Sequence, residues 1–221
     1  MDGNGRWAKK RGLPRKFGHR EGAKNFRTIT KHAKAVGVEY LTYYAFSTEN
    51  WKRPKDEVDS IMELFEKYLD EVKDFIEENI RIRFIGDRTM LTQTLRDKML
   101  DVEETSKDFD AMTLILAINY GGRDEICHSV RELAQLVKQG QLEPEDITQD
   151  MIEQHLYTQE IPPLDLVIRP SGEQRLSNFM IWQAAYAEFY YSNILWPDFK
   201  NDDFDQAIIE FCKRNRRFGG V

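Results

Sequence analysis

Four short polar segments hold the residues best suited to chemistry. The first, Met1-Asp2-Gly3-Asn4-Gly5-Arg6-Trp7, is a glycine-rich turn carrying an acid, an amide and a guanidinium. Gly3 and Gly5 let the backbone take positive φ and approach a ligand closely, and consecutive amides in such a turn can cradle an anion. It is not a P-loop, which needs four residues between its glycines and a Gly-Lys-Ser/Thr ending, and it is not GxGxxG. Taken alone, it reads equally well as an ordinary surface turn. Arg15 and His19 follow in the same basic stretch. The other three segments are residues 46–54 (FSTENWKRP, with Arg53), 119–124 (NYGGRD) and 169–178 (RPSGEQRLSN). In the last, Arg169 and Arg175 flank a Ser-Gly-Glu turn, with Ser177 and Asn178 close behind. A guanidinium fork can donate two parallel hydrogen bonds to diphosphate oxygens. One arginine is usually a surface residue; five in such loops, among glycines and small hydroxyls, point to a phosphate-bearing ligand.

The acids that could join them are scattered. Asp2 and Glu188 are the interesting pair, but neither sits in a compact metal motif, and spacing alone makes Glu188 a salt-bridge partner at the start of a strand. Residues 202–205 (DDFD) read as the start of the last helix. His32, His128 and His155 fall on helical patterns and read as structural or exposed. Trp7, Phe46 and Trp51 lie in polar loops, where aromatic rings could cover an apolar substrate body or exclude water.

Strands and helices alternate around these loops. Runs at 38–46, 80–85, 112–119 and 164–168 have strand character, with 188–191 a weaker one. Helical spacing marks Phe26, Ile29 and Ala33, then Val58, Ile61, Met62, Phe65, Leu69, Val72 and Ile76, then Ile126, Val130, Leu133 and Val137. The alternation predicts one α/β domain over residues 1–221, a mostly parallel central sheet flanked by helices. Ligands of such sheets sit beyond the carboxyl ends of the strands, where three of the polar segments fall.

Composition narrows the function classes. The chain has 221 residues, 41% hydrophobic and 32% charged, with a net charge of −6. Residues 1–31 hold ten Lys/Arg and two Asp/Glu, against 22 and 36 in the remainder, and Lys213, Arg214, Arg216 and Arg217 form a second basic knot. Basic segments on an acidic body suggest a focused anion site rather than a nucleic-acid surface. No apolar run reaches membrane-span length and no signal peptide is evident, so a cytoplasmic protein is expected. Cys127 and Cys212 read as buried free thiols.

The stretches MDGNGRWAKKRGLPRKFGH, YAFSTENWKRP, INYGGRDEI, IRPSGEQRLSNFMIWQAAYAEFYYSNILWPDF and NRRFGG, in this order, resemble the bacterial undecaprenyl diphosphate synthases, over essentially the whole chain. The DDxxD pattern of all-trans prenyl synthases is absent. The resemblance implies a cis-prenyltransferase fold with a hydrophobic tunnel, a homodimer, and magnesium-dependent addition of isopentenyl diphosphate to farnesyl diphosphate, giving the lipid carrier precursor of cell-wall synthesis. It further implies at most peripheral membrane contact for product release. By it, Asp2 binds magnesium and helps diphosphate leave, and Glu188 is a second metal ligand. Gly3, Asn4, Gly5, Arg6, Trp7, Arg15, His19 and Arg53 hold the allylic diphosphate. Ser47, Thr48, Glu49, Asn50 and Trp51 form a neighbouring substrate loop. Asn50 matches a position proposed to assist proton removal, although a neutral amide suits positioning better. Arg169, Arg175 and Ser177 clamp isopentenyl diphosphate, and Arg217 with Gly219 reaches the partner's site.

Two departures stand out. Pro170 replaces the family's usual threonine, removing a hydroxyl and an N–H beside the clamp. The family also places a short apolar strand ahead of the Met-Asp-Gly-Asn-Gly turn. The competing readings are a cis-prenyltransferase of other chain length, a non-catalytic lipid-diphosphate-binding subunit, and a nucleotide- or RNA-binding module disfavoured by the acidic total.

Overall fold

A computed structural model of the chain describes residues 1–71 and 73–216. Arg217 and Gly219 therefore lie outside the described residues, as does Val72. The centre is parallel sheet. β1 (Tyr40–Ser47) and β2 (Ile80–Ile85) pair on either side of β3 (Met112–Tyr120), and β4 (Leu166–Arg169) pairs with β5 (Glu188–Tyr191). Every pairing is parallel. β3 is central, and all its residues but Thr113 are buried, which explains its near-continuous apolar sequence.

Residues 37–47 and 161–170 all line one cavity, so β1 and β4 each turn an unpaired edge toward it. The helices supply the other walls. α1 (Asn4–Lys10) packs on α2 (Arg15–Ala35), where a Cβ on Gly18 would stand 2.0 Å from the Asn4 carbonyl oxygen. α3 (Lys55–Glu71) buries Val58, Ile61 and Leu69 of the stripe expected from spacing, and α4 (Lys73–Ile76) follows.

α5 (Gln93–Ser106) is a helix the sequence reading left unmarked. The Thr92 hydroxyl caps it by accepting from the Leu95 N–H, and it buries Leu95, Met99 and Val102. α6 (Gly122–Lys138) rotates differently from expectation. Its buried face carries Gly122, Glu125, Ser129 and Leu133, while Val130 is 52% exposed. The reason is polar: Tyr120 donates to Glu125 at 2.5 Å and Gln183 does so at 3.0 Å, turning the acid rather than the valine inward. α7 (Gln149–Gln154) and α8 (Asn201–Cys212) complete the chain, α8 beginning at the acidic run as read. Cys127 and Cys212 are exposed, a correction to the buried thiols expected. Among the described residues, no helix is long and apolar enough to cross a membrane.

Candidate active site

Asp2 is held by backbone before any side chain contributes. Its carbonyl accepts the Trp196 N–H at 3.0 Å, and Gly3 follows at φ 101°, where an added Cβ would lie 2.8 Å from Leu195. Trp196 is fixed in turn: its indole donates to the Gly22 carbonyl, and the Asn25 amide donates to the carbonyls of Trp196 and Phe199. The α2 core thus fixes the height of Asp2.

Around the Asp2 carboxylate the guanidinium of Arg169 donates at 3.1 Å, and that of Arg6 lies 3.5 Å away. Burial pushes this carboxyl up, but hydrogen bonds from Arg169 and Ser171 and the charges of Arg6 and Arg169 outweigh it, leaving Asp2 below the ordinary carboxylate value. Arg169 stands at the carboxyl end of β4 with its side chain only 15% exposed. It also donates to the Ser177 hydroxyl at 2.9 Å and to the Arg175 carbonyl. Arg175 and Arg6 both pair with Glu173, at 2.5 and 3.2 Å. Pro170 is buried, and the sheet-side bond after it is made by Ser171, whose N–H donates to Ile194.

A second cationic group forms where α2 meets α3. Arg15 and Arg53 each pair with Glu57 at 2.9 Å. His19 lies behind them; burial lowers its pKa, Arg53 and Arg15 lower it further, and Glu57 opposes them. Met1, Gly3, Asn4, Gly5, Arg6, Arg15, His19, Arg53 and Glu57 line an open cleft of about 940 Å³ together with Asp2.

The substrate loop is pinned rather than free. Asn50 caps its 3₁₀ turn, its side-chain oxygen accepting the Ser47 N–H at 3.1 Å, so that amide is engaged in holding the loop. Trp51 donates to Asn119 at 2.7 Å and meets Phe46 edge-on. Glu49 accepts from Asn178 at 2.8 Å. Thr48, beside Gly121, completes the turn.

Five expected members stand apart from cleft and cavity: Thr48, Glu49 and Trp51, held in the loop just described, and Trp7 and Glu188. Trp7 lines neither cleft nor cavity; its indole donates to Asp198 at 2.7 Å and Arg11 stacks on it at 4.1 Å. Glu188 is not brought to Asp2. It opens β5 opposite Leu166, three residues and about 10 Å along the strand from the Arg169 level. There it pairs with Arg214 at 2.6 Å, the salt-bridge role that spacing alone suggested. No group of three or more His, Cys, Asp or Glu that could hold a metal ion occurs among the described residues. The ionised Asp2 carboxylate suits magnesium, which is ordinarily held by one or two carboxylates plus substrate phosphate oxygens, and the arginines beside it suit those phosphate oxygens. Asp2 fits such an ion; Glu188 of the same chain does not fit the same one.

Asp2, His19, Arg53, Arg169, Arg175, Ser47, Asn50 and Ser177 also line a cavity of about 990 Å³, at the strand carboxyl ends. Away from them the lining turns largely apolar and aromatic, with Phe26, Ile29, Ile61, Phe65, Leu69 and Ile118. A hydrocarbon with an anionic head matches that division, and prenyltransferases act on such molecules.

Comparison with known proteins agrees. The family described as "Putative undecaprenyl diphosphate synthase" matches residues 1–219. The isoprenyl transferase of Bacillus subtilis is 52% identical over all of this chain and 85% of its own length. The ditrans,polycis-undecaprenyl-diphosphate synthase ((2E,6E)-farnesyl-diphosphate specific) of Escherichia coli K12 is 49% identical, over all of this chain and 88% of its own. The crystal structure of lavandulyl diphosphate synthase from Lavandula x intermedia, in complex with dimethylallyl diphosphate, superposes with a TM-score of 0.95 at 39% identity, covering 100% of this chain and 95% of that one. The chain is a prenyltransferase. It belongs to the undecaprenyl diphosphate synthase family.

Proposed function

We propose that this chain adds isopentenyl diphosphate repeatedly, in cis, to farnesyl diphosphate and so makes undecaprenyl diphosphate. The observation that carries the reading is a cavity whose cationic end continues into an apolar body. The farnesyl diphosphate specificity of the E. coli relative supports the first substrate. In this reading Arg15, His19 and Arg53 hold the allylic diphosphate beside Asp2, and Arg169, Arg175 and Ser177 hold isopentenyl diphosphate. When the C–O bond of the allylic substrate breaks, negative charge grows on the departing diphosphate, and preorganised arginines stabilise it. The allylic carbon bonds to the terminal alkene carbon of isopentenyl diphosphate, and the proton lost from the adjoining CH2 of that substrate passes to the departing diphosphate. The apolar walls exclude the water that would intercept the cation, and each added unit gains burial. Magnesium, held by Asp2, would supply further charge neutralisation to the diphosphate.

Arg217 and Gly219 are assigned to a partner's isopentenyl diphosphate site in a homodimer. The unpaired edges of β1 and β4 support seating an apolar extended segment ahead of Met1 between them, and fusing one there should raise the melting temperature.

The decisive assay incubates the protein with farnesyl diphosphate, labelled isopentenyl diphosphate and magnesium, and sizes the product. Eight additions give the undecaprenyl chain; a shorter ladder assigns another chain length, and no incorporation overturns the reading.

A further inference from the structure

Ser177 and Asn178 are consecutive non-glycine residues in the left-handed region, at φ 51° and 64°. Such a conformation persists only where its surroundings hold it, and these two side chains are held from opposite directions. The Ser177 hydroxyl accepts from Arg169, whose guanidinium also donates to Asp2. The Asn178 amide donates to Glu49 at 2.8 Å, while its side-chain oxygen accepts the Arg123 N–H at 2.9 Å and its carbonyl accepts the Gly122 N–H at 2.7 Å. Three loops therefore converge on one residue. The fit is close: a Cβ on Gly121 would stand 2.7 Å from both the Asn178 amide nitrogen and the Thr48 hydroxyl. Asn178 lines neither the cavity nor the cleft.

We propose that Asn178 is a positioning residue that couples the substrate loop, through Glu49, to the Arg169–Ser177 clamp. The proposal rests on the two-substrate reading above. The route runs from Asp2 through Arg169 and Ser177, across one peptide bond to Asn178, and on to Glu49. Movement of the substrate loop about one substrate's headgroup is thereby transmitted to the groups that hold the other. Burial pushes the Glu49 carboxyl up, but hydrogen bonds, including that from Asn178, outweigh it and keep an acceptor facing the amide.

The test exchanges donor and acceptor. Asn178→Asp keeps an acceptor for the Arg123 N–H but sets a carboxylate against Glu49. Glu49→Gln added to it restores a donor–acceptor pair with the roles reversed. Amide hydrogen exchange of residues 47–53 and 169–177 is measured in the ligand-free protein, with kcat/KM for each substrate and the melting temperature. Expected for Asn178→Asp are faster exchange in both segments and a loss of about tenfold or more in kcat/KM for both substrates. The double variant should return to within about threefold of Glu49→Gln alone. Should Asn178→Asp fail to fold, Asn178→Gly keeps the left-handed backbone, removes only the side chain, and should show the same loss for both substrates. Unchanged exchange, a loss confined to one substrate, or a double variant no better than Asn178→Asp overturns the proposal. Wild-type protein without turnover defeats the functional reading instead, and the exchange comparison then decides the linkage by itself.

Discussion

The two cationic groups of the site are built on different principles. Arg15 and Arg53 reach Glu57 from a helix start and a loop, and the Arg15 side chain is 69% exposed. Glu57 is only 15% exposed, but Arg53 is 40% exposed, so both guanidiniums are the mobile partners and an arriving diphosphate can draw them off the carboxylate. Arg169, by contrast, issues from a paired strand and donates to Asp2, Ser177 and the Arg175 carbonyl. Its geometry is set before ligand arrives. The comparison teaches that one site adapts to its anion while the other is preformed, a sensible division if the first must release and rebind a lengthening chain and the second receives the same small molecule each time.

Asp2 lies where the two groups meet, so its loss should have the largest effect. Asp2→Ala is expected to cut kcat by at least about a hundredfold, the scale of removing one preorganised electrostatic group. Circular dichroism and the melting temperature should stay near wild type, because Asp2's tie to Trp196 is through its backbone. A folded variant with near-normal turnover would remove Asp2 from the chemistry.

The contrast itself is broken or sharpened by comparing arginines. Arg169→Ala should raise the KM for isopentenyl diphosphate by about tenfold or more, since a preorganised charge-assisted bond is lost. Arg53→Ala should raise the KM for farnesyl diphosphate by a smaller factor, because that site can readjust. Glu57→Gln should lower the same KM by about fivefold, the equivalent of about 1 kcal/mol of pairing released for ligand. A larger rise in the KM for farnesyl diphosphate than in that for isopentenyl diphosphate on Arg169→Ala would show that the two anion sites have been assigned the wrong way round.

The sequence reading reached the parallel α/β architecture because β3's apolar run and the stripe of α3 repeat at unmistakable periods. It also reached the arginines, whose chemistry is plain from residue type. What it missed are the partners. Glu57 and Glu173 bind their arginines across 42 and 167 positions for Arg15 and Arg6, and no local pattern encodes such pairings. Asn119 and Asn178, though within the polar segments, receive no role from sequence for a similar reason. Each is a small amide in a polar sequence segment, and only the fold shows it in a left-handed conformation bonded to Trp51 or Glu49. Their occurrence within the motifs NYGGRD and RLSN was the available signal, since asparagine tolerates positive φ better than most residues. At Glu188 the two ways of reading part. Spacing made it a salt bridge, resemblance made it a metal ligand, and within one chain the register of β5 agrees with spacing.

The smallest expected effect concerns protons in the adaptive site. In the ligand-free protein burial and the charges of Arg53 and Arg15 lower the pKa of His19 from 6.5, with Glu57 opposing them. The unfolded chain therefore binds more protons at this residue just below pH 6.5, and stability rises with pH there. His19's contribution is present above that value and is lost as pH falls from 6.5 through the lowered folded value. A diphosphate beside His19 adds negative charge, favours the imidazolium and moves its pKa back upward. Binding at pH 6 should then take up a fraction of a proton. Calorimetric titration of farnesyl diphosphate in two buffers of different ionisation enthalpy measures that uptake, and the same titration of His19→Gln subtracts the ligand's own protons. Wild type should exceed the variant by a few tenths of a proton, and its melting temperature should fall more steeply below pH 6.5. Identical uptake in the two proteins would place the bound diphosphate away from His19, and with it the adaptive site away from Arg15 and Arg53.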